Sequence, residues 1–338
     1  MAKAQRVSTI VLGDSNAIQN ALDVARKLAE TDLPILLVGA TGTGKELFAE
    51  EIHRWSRRQG PLVDVNCGAL PRDMVEAVLF GHRRGAFTGA HEDVRGLVEA
   101  ADGGSLFLDE LPSLPLDAQP KLLRFLETGE IRRIGETVKR CVRVRPIAAA
   151  HADFGGRLTS GQFRNDLLQR VAGAVIHLPP LKERGNDVEI LAIHFAVRRG
   201  KDLSPSALEL LQRHSWPGNV RELRLVVERA VCLSPSRIIS SDTMAASLRM
   251  GASIFSSQQP SAVAEEMPAK DRVMAVCAEN DWNASRTAKA LGLGRTTLFK
   301  ELKSLGISLR DSRSRAELRV RRIGDDESRD RFERNGWT

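Results

Sequence analysis

The chain has few cysteines and spaces them where they can do little together. Cys67, Cys141, Cys232 and Cys277 lie far apart, with no CxxC pair and no spacing that would gather metal ligands. That pattern argues against both a disulfide-stapled secreted domain and a zinc module, and the four thiols are expected to be reduced, buried and cytosolic. No apolar run approaches the length of a membrane span, and Met1 to Val7 does not read as a signal peptide. A cytoplasmic protein with no membrane partner is expected. An acidic excess is missing too: the net charge of +7 and pI near 9.5 suit a polyanionic partner, though such an excess alone says little. What is present is 338 residues, 42% hydrophobic and 28% charged, enough for one large domain with a substantial core and something smaller beside it.

Asp14 and Ser15 stand where a helix cap belongs, ahead of apolar positions Ile18, Leu22, Ala25 and Leu28 at helical spacing. Pro34 then opens Ile35-Leu36-Leu37-Val38, a short continuous apolar run of the kind buried in parallel sheets. Directly after it come Gly39-Ala40-Thr41-Gly42-Thr43-Gly44-Lys45-Glu46. Gly39, Gly44 and Lys45 match the P-loop spacing, and a helical pattern follows from Leu47 to Ile52. Glycines let backbone N–H groups converge on phosphate oxygens, and a lysine at this place reaches the β- and γ-phosphates. Glu46 takes the place of the usual Ser or Thr, whose hydroxyl meets the metal. Further on, the apolar strand Ser105-Leu106-Phe107-Leu108 ends in Asp109-Glu110, the Walker B arrangement. Asp109 is expected to hold Mg²⁺, directly or through water, and Glu110 to polarise the attacking water of ATP hydrolysis. Two acids closing a strand are often no more than the cap of the next helix; a P-loop upstream reverses that preference.

Between these motifs, residues 85 to 90 read Gly-Ala-Phe-Thr-Gly-Ala. Glycines bracketing one aromatic and one hydroxyl side chain suit a presented loop better than a packed element. In this company the hexapeptide resembles the signature of sigma-54-dependent transcriptional activators, the AAA+ ATPases often called bacterial enhancer-binding proteins. The resemblance covers residues 8 to 307 and implies an α/β fold with a parallel sheet core over 1–180 and an α-helical lid over 181–248. It implies that Gly85, Ala86, Phe87, Thr88, Gly89 and Ala90 contact the sigma-54 RNA polymerase holoenzyme, raised and lowered by ATP-driven movement of the helix that carries them. Glu46 fits, since the family typically reads GKE there. Asn66, between Val65 and Cys67, would position Glu110 according to nucleotide state. Phe163-Arg164-Asn165-Asp166-Leu167 followed by Arg170 matches the arginine-finger segment. Arg164 and Arg170 would then reach a γ-phosphate held by a neighbouring subunit, which implies a ring, hexameric in the family. Leu178 to Arg184 looks like the hinge into the lid, and within Trp216-Pro217-Gly218-Asn219-Val220-Arg221-Glu222-Leu223 the sensor II residue would be Arg221.

The chain departs from the family in places. Val78 and Arg83 stand where an acidic residue is usual, so the contacts that latch the loop are expected to differ. Ala150-His151 replaces the Thr-Asn of sensor I; His151 either offers the γ-phosphate a hydrogen bond or is a structural histidine, and Ala150 offers none. Family members commonly begin with a sensor domain; with the ATPase starting almost at Met1, the chain is expected to resemble the minority that lack one, which are controlled by a separate inhibitory or co-activating protein or by their own abundance.

From Met250 to Pro268, Ser, Gln, Ala, Gly and Pro dominate without a period, which sets a linker over 249–267. Apolar stripes return at Val273, Val276 and Cys277, then Ala284, Ala288 and Leu291, then Leu298, Leu302 and Leu305 after Gly292-Leu293-Gly294. Residues 268–307 resemble the Fis-type helix-turn-helix of the family, which puts Arg295, Thr296, Thr297, Lys300 and Lys303 toward double-stranded DNA upstream of promoters. The tail, 308–338, mixes arginines with acids and few apolar groups and is expected to be disordered. Two rivals to an activator remain: a DNA-binding regulator with impaired hydrolysis that acts by occupancy, which Ala150-His151 favours, and an AAA+ remodeller of another client, which the intact loop disfavours.

Overall fold

The computed structural model describes residues 13–151, 155–255 and 295–304, with single positions at 277, 283, 284, 287 and 288. Five strands form one parallel sheet: β1 (Ile35–Val38), β2 (Leu62–Asn66), β3 (Ser105–Asp109), β4 (Arg145–Ala150) and β5 (Ala174–His177), in the order β2-β3-β4-β1-β5. Their apolar runs alternate between two cores. Ile35 and Leu37 face helices α1 (Asn16–Ala29) and α2 (Lys45–Trp55), where Ile18, Ala25, Phe48 and Ile52 are buried. Leu36, Leu106 and Leu108 face the opposite layer of α3 (Val75–Phe80), α4 (Gln119–Thr128) and α5 (Asn165–Val171), packed through Leu79, Leu122, Phe125 and Leu167. Burial on both sides is why these strands read as continuous apolar runs rather than as alternating ones.

Register then decides where the chemistry gathers. Asn66 pairs with Asp109, Leu108 with Ala148 and Val38 with Ala150. The carboxyl ends of four strands are therefore level, and the P-loop, Asn66, Asp109-Glu110 and His151 all leave the sheet at one edge, where open α/β sheets bind their ligands. β4 begins at Arg145, and upstream of it the Val142 N–H is taken by Gly129 O at 2.9 Å.

The lid comprises α6 (Asp187–Val197), α7 (Pro205–Arg213), α8 (Asn219–Leu233) and α9 (Ser241–Phe255) around Leu181, Leu211, Trp216, Leu223, Val227 and Met244. α9 runs past position 248, so the first residues of the expected linker, 249–255, are helical. The cap expected at Asp14 and Ser15 is also different. Ser15 occupies the cap position of α1, but its hydroxyl donates to Asp187 Oδ2 at 2.9 Å, and Asp187 Oδ1 accepts the N–H groups of Asp14 and Ser15. A lid carboxylate thus ties down the segment that enters α1, and a Cβ at Gly13 would lie 2.4 Å from it.

In the C-terminal unit, α10 (Arg295–Ser304) buries Leu298 and Leu302, four apart on one helix face, while Thr297 and Lys300 are exposed. Cys277, Ala284 and Ala288 are helical, and Cys277 and Ala288 are buried. The remaining apolar positions of the expected helix-turn-helix, Val273, Val276, Leu291 and Leu305, lie outside the described residues, as does the turn.

One buried cation holds the far end of the sheet. Arg145, 1% exposed, donates to Leu28 O at 2.6 Å, Ala29 O at 2.8 Å and Leu33 O at 3.3 Å, capping the last turn of α1. Burial pulls its guanidinium down to about 10, still far above neutral pH. Arg145→Met keeps the bulk and strands those carbonyls, so a loss of about 3 kcal/mol is expected, read as a lowered urea midpoint. A midpoint equal to that of the parent would show that water replaces the guanidinium at no cost.

Candidate nucleotide site

The P-loop connects β1 to α2 through two glycines with left-handed backbone, Gly42 at φ 78° and Gly44 at φ 102°. Gly44 is the residue before α2, so the loop empties onto a helix N-terminus, where orphan N–H groups and the helix dipole attract anions. Lys45 Nζ turns back onto the loop and donates to Gly39 O at 2.8 Å and Ala40 O at 3.1 Å. Burial holds the Lys45 ammonium below its usual value, with nearby Asp109 opposing that shift. Thr43 Oγ1 donates to Ala40 O at 2.8 Å, while Thr41 and Glu46 are exposed.

Across the register pair, Asn66 Oδ1 accepts the N–H groups of Gly68 and Ala69 at 2.9 and 3.1 Å. Glu110 has a left-handed backbone, φ 51° and ψ 40°, which costs a non-glycine residue about 1–2 kcal/mol. Its N–H donates to Asp109 Oδ1 at 2.9 Å, and its carboxylate lies over Gly68, where a Cβ would come within 2.4 Å of Oε2. The left-handed backbone places the Glu110 carboxylate beside the Asn66 turn. Asp109 lines the cleft. One carboxylate beside phosphate oxygens suits Mg²⁺, which retains most of its waters in such sites. Among the described residues no three acidic, cysteine or histidine groups gather where they could hold a metal ion.

Facing this edge, the lid closes a cleft of about 890 Å³, lined by Thr41 to Glu46, Asp109, Glu110 and His151 on one side and by Arg184, Leu191, Phe195, Val220 and Arg221 on the other. That volume lies in the range of small-molecule sites. Of the predicted residues, Thr41 to Glu46, Asp109, Glu110, His151 and Arg221 share this cleft, whereas Gly39, Ala40 and Asn66 do not line it; Ala150 also lines it, with a methyl group that donates nothing. Arg184, Asp187 and Asn219 carry much of the lid's grip on the site, and no single-residue pattern announced them. Arg184 and Asn219 sit in strings already matched to the hinge and to sensor II, which was the only signal available.

Arg164 and Arg170 do not line this chain's cleft. Arg164 is exposed and paired with Asp166 at 2.6 Å, and Arg170 is exposed with its Nε on Leu126 O at 2.9 Å.

The hexapeptide is presented elsewhere. α3 ends at Gly81, and Gly81-His82 pairs with Val94-Arg95 to make a neck. Beyond it Gly85 N–H bonds Ala90 O at 2.8 Å and Ala90 N–H bonds Phe87 O at 3.0 Å, leaving Phe87 and Thr88 exposed at the tip and Ala90 buried. The Phe87 ring lies 4.9 Å from that of His82, and Gly135 packs on Ala86. Arg83, the departure from the family, pairs with Asp93 at 2.8 Å across the neck. The Arg84 N–H on the same carboxylate and the Arg83 guanidinium hold Asp93 below the usual range.

Comparison with known proteins agrees with this geometry. The profile of the sigma-54 interaction domain matches residues 11–177, and that of the AAA+ ATPase lid domain matches residues 182–260. The alginate biosynthesis transcriptional regulatory protein AlgB of Pseudomonas aeruginosa is 42% identical over 301 residues, covering 87% of this chain and 67% of AlgB. The nitric oxide reductase transcription regulator NorR1 of Cupriavidus necator is 50% identical over 235 residues, covering 67% of this chain and 46% of NorR1. The chain thus spans about half to two thirds of these curated relatives' length. Among solved structures, NtrX of Brucella abortus in complex with ATP superposes with a TM-score of 0.64 at 33% identity, covering 88% of this chain and 69% of that one.

The cysteines divide by position, against the expectation that all are buried: Cys67 and Cys277 are buried, Cys141 and Cys232 exposed. Burial, with Asp109 and Glu110 adding to it, pushes the Cys67 thiol up to about 12. The thiolate is the reactive form. Iodoacetamide at pH 8 is therefore expected to modify Cys141 and Cys232 and to spare Cys67, as read by peptide mass spectrometry of the native protein. Labelling of Cys67 as fast as Cys232 would contradict the packing at the end of β2.

Proposed function

The chain belongs to the family of sigma-54-interacting AAA+ ATPases, and we propose on that premise that it hydrolyses ATP to remodel a sigma-54 RNA polymerase complex at promoters. One observation carries the proposal: a single stretch of chain links the phosphate edge to the presented loop. Asn66 lies beside Asp109 in the sheet, the Cys67 N–H is held by Asp109 O at 2.9 Å, and the chain then runs through α3 directly into Gly85–Ala90. A change at the phosphate edge has a short mechanical path to Phe87 and Thr88.

In this reading the P-loop N–H groups and Lys45 bind the phosphates, Glu110 orients the attacking water, and Arg221 closes on the nucleotide from the lid. Mg²⁺ at Asp109 would neutralise charge on the phosphate oxygens. Arg164 and Arg170, each engaged only within its own exposed surface, would be recruited by the site of a neighbouring subunit in a ring, the hexamer of the family. α10 would present Arg295, Thr296, Thr297, Lys300 and Lys303 to DNA upstream of the promoter. A second reading, regulation by occupancy with impaired hydrolysis, draws on the Ala150 methyl where the family has a hydrogen-bonding side chain.

Phosphate release separates the two readings. Turnover per subunit should rise with protein concentration as neighbours assemble. Lys45→Ala should lose nucleotide binding, and Glu110→Gln should bind ATP yet turn over at least about 10²-fold more slowly. Removing Arg164 or Arg170 should cost about 10³-fold. An Arg164→Ala, Arg170→Ala double variant with parental turnover would end the case for a shared site.

Loop and engine should also come apart. Phe87→Ala and Thr88→Ala touch no phosphate, so hydrolysis should stay near the parental rate while open-complex formation on a sigma-54 promoter is lost. Normal activation by both variants would remove the loop from the polymerase contact.

A further inference from the structure

The P-loop is bonded to the lid, one carbonyl after another. Asn219 Nδ2 donates to Thr41 O at 3.0 Å, the Val220 N–H to Gly42 O at 3.0 Å, and Arg184 Nη2 to Thr43 O at 2.8 Å. In a trans peptide unit the C=O and the following N–H point in opposite directions. Holding these three carbonyls therefore sets the direction of the following N–H groups: those of Gly42 and Gly44, and that of Thr43, which donates to Ala40 O at 3.4 Å within the loop. The two carbonyls before them are held from within the loop by Lys45.

Both lid side chains are built for this and for little else. Asn219 is 2% exposed and has a left-handed backbone at φ 52°. Its carboxamide is fully engaged: Oδ1 accepts the Leu181 N–H of the hinge at 2.8 Å while Nδ2 faces the loop. Only this orientation of the amide satisfies both neighbours. Arg184, also 2% exposed, likewise spans hinge and loop, with Nε on Pro179 O at 3.0 Å. The approach is close enough to dictate the loop's own sequence. A Cβ on Gly42 would meet Gly218 O at 2.4 Å, so the glycine there answers to the lid.

We propose that Asn219, assisted by Arg184, is a positioning residue of the phosphate site: from the lid it orients the P-loop peptides, so that lid and hinge set the affinity of the phosphate cradle as well as covering the nucleotide. The inference rests on the ATP-binding reading above. Because one carboxamide holds both Leu181 and Thr41, a displacement of the hinge rotates the P-loop peptides, and phosphate binding reports back to the hinge by the same route.

The test uses the full chain and a fluorescent ATP analogue, N-methylanthraniloyl-ATP, with amide hydrogen exchange of the nucleotide-free protein as a second readout. Asn219→Asp keeps size, the tolerance for a left-handed backbone and the acceptor for Leu181, but places an oxygen against Thr41 O. It is expected to weaken analogue binding about tenfold. Exchange should quicken at residues 41–45 and stay unchanged in β3 and β4. Arg184→Gln is expected to do the same through Thr43, and Arg184→Lys, which retains a donor, to recover part of the affinity. Should Asn219→Asp fail to fold, the two Arg184 variants carry the test. Affinities within about twofold of the parent in the folded variants would overturn the proposal. So would exchange that quickens throughout the lid core, since that would make both residues general supports of the lid. A parental protein that fails to bind the analogue would instead overturn the ATPase reading.

Discussion

A peptide unit cannot turn its N–H toward a phosphate without turning its carbonyl the other way, and this molecule is arranged around what receives those carbonyls. Five in succession, from Gly39 to Thr43, find donors: Lys45 takes the first two, and the lid takes the next three. Unpaired, each would carry the desolvation cost of a buried polar group, about 1–3 kcal/mol. That requirement explains why lid residues reach the carbonyls of a loop that itself lines the cleft. It also explains why Gly42 is a glycine at a P-loop position where phosphate geometry alone is permissive.

The lid is held to the α/β unit at a second, separate place. Asp187, fully buried, receives the N–H groups of Asp14 and Ser15 and the Ser15 hydroxyl, and so fastens the segment entering α1. Asp187 also opposes the burial that pulls the neighbouring Arg184 down to about 10. Two buried polar side chains thus anchor the lid, Asp187 to the segment entering α1 and Arg184 to the P-loop. Breaking either would leave its partner charge or its carbonyls without compensation in a low-dielectric interior. The lid is therefore a part of the site structurally, since its hinge and first helix turn supply hydrogen bonds to the phosphate loop.

Much of this was legible from the residues. The strand–loop–helix of 35–55 and the acid pair at 109–110 declare themselves because continuous apolar runs are what a doubly covered parallel sheet requires, and because phosphate binding tolerates few substitutes for glycine and lysine. Register was not legible: that Asn66 lies level with Asp109 depends on pairing between strands some forty residues apart. The reassignment of Ser15 from helix cap to lid ligand was hidden for the same reason, since its partner is 172 residues away. Asn219 was hidden in plain sight inside Trp216–Leu223. Nothing local distinguishes an asparagine that begins a helix from one whose carboxamide bridges hinge and P-loop. The left-handed backbone of Glu110 had no sequence signal either, because the strain is imposed by what surrounds it rather than by the residue.

The presented loop obeys a different economy from the cleft. Its neck is closed by Arg83 and Asp93, both near half exposed, and exposed ion pairs contribute little, typically up to about 1 kcal/mol. Such a latch can be opened by small forces, whereas the buried lid contacts cannot. Beneath it the support stiffens. Glu99, largely buried, takes both nitrogens of Arg133 at 2.9 and 3.0 Å, and Arg140 grips Glu136 at 3.0 and 3.2 Å. The segment carrying Gly135 is thereby pinned under Ala86 by two-pronged pairs, the stronger geometry for an ion pair. The basic residue at position 83 finds an acid across the neck, Asp93. A weak clasp at the neck over a rigid bed lets the tip move without unsettling the sheet, which is what a loop driven from the phosphate edge must be able to do.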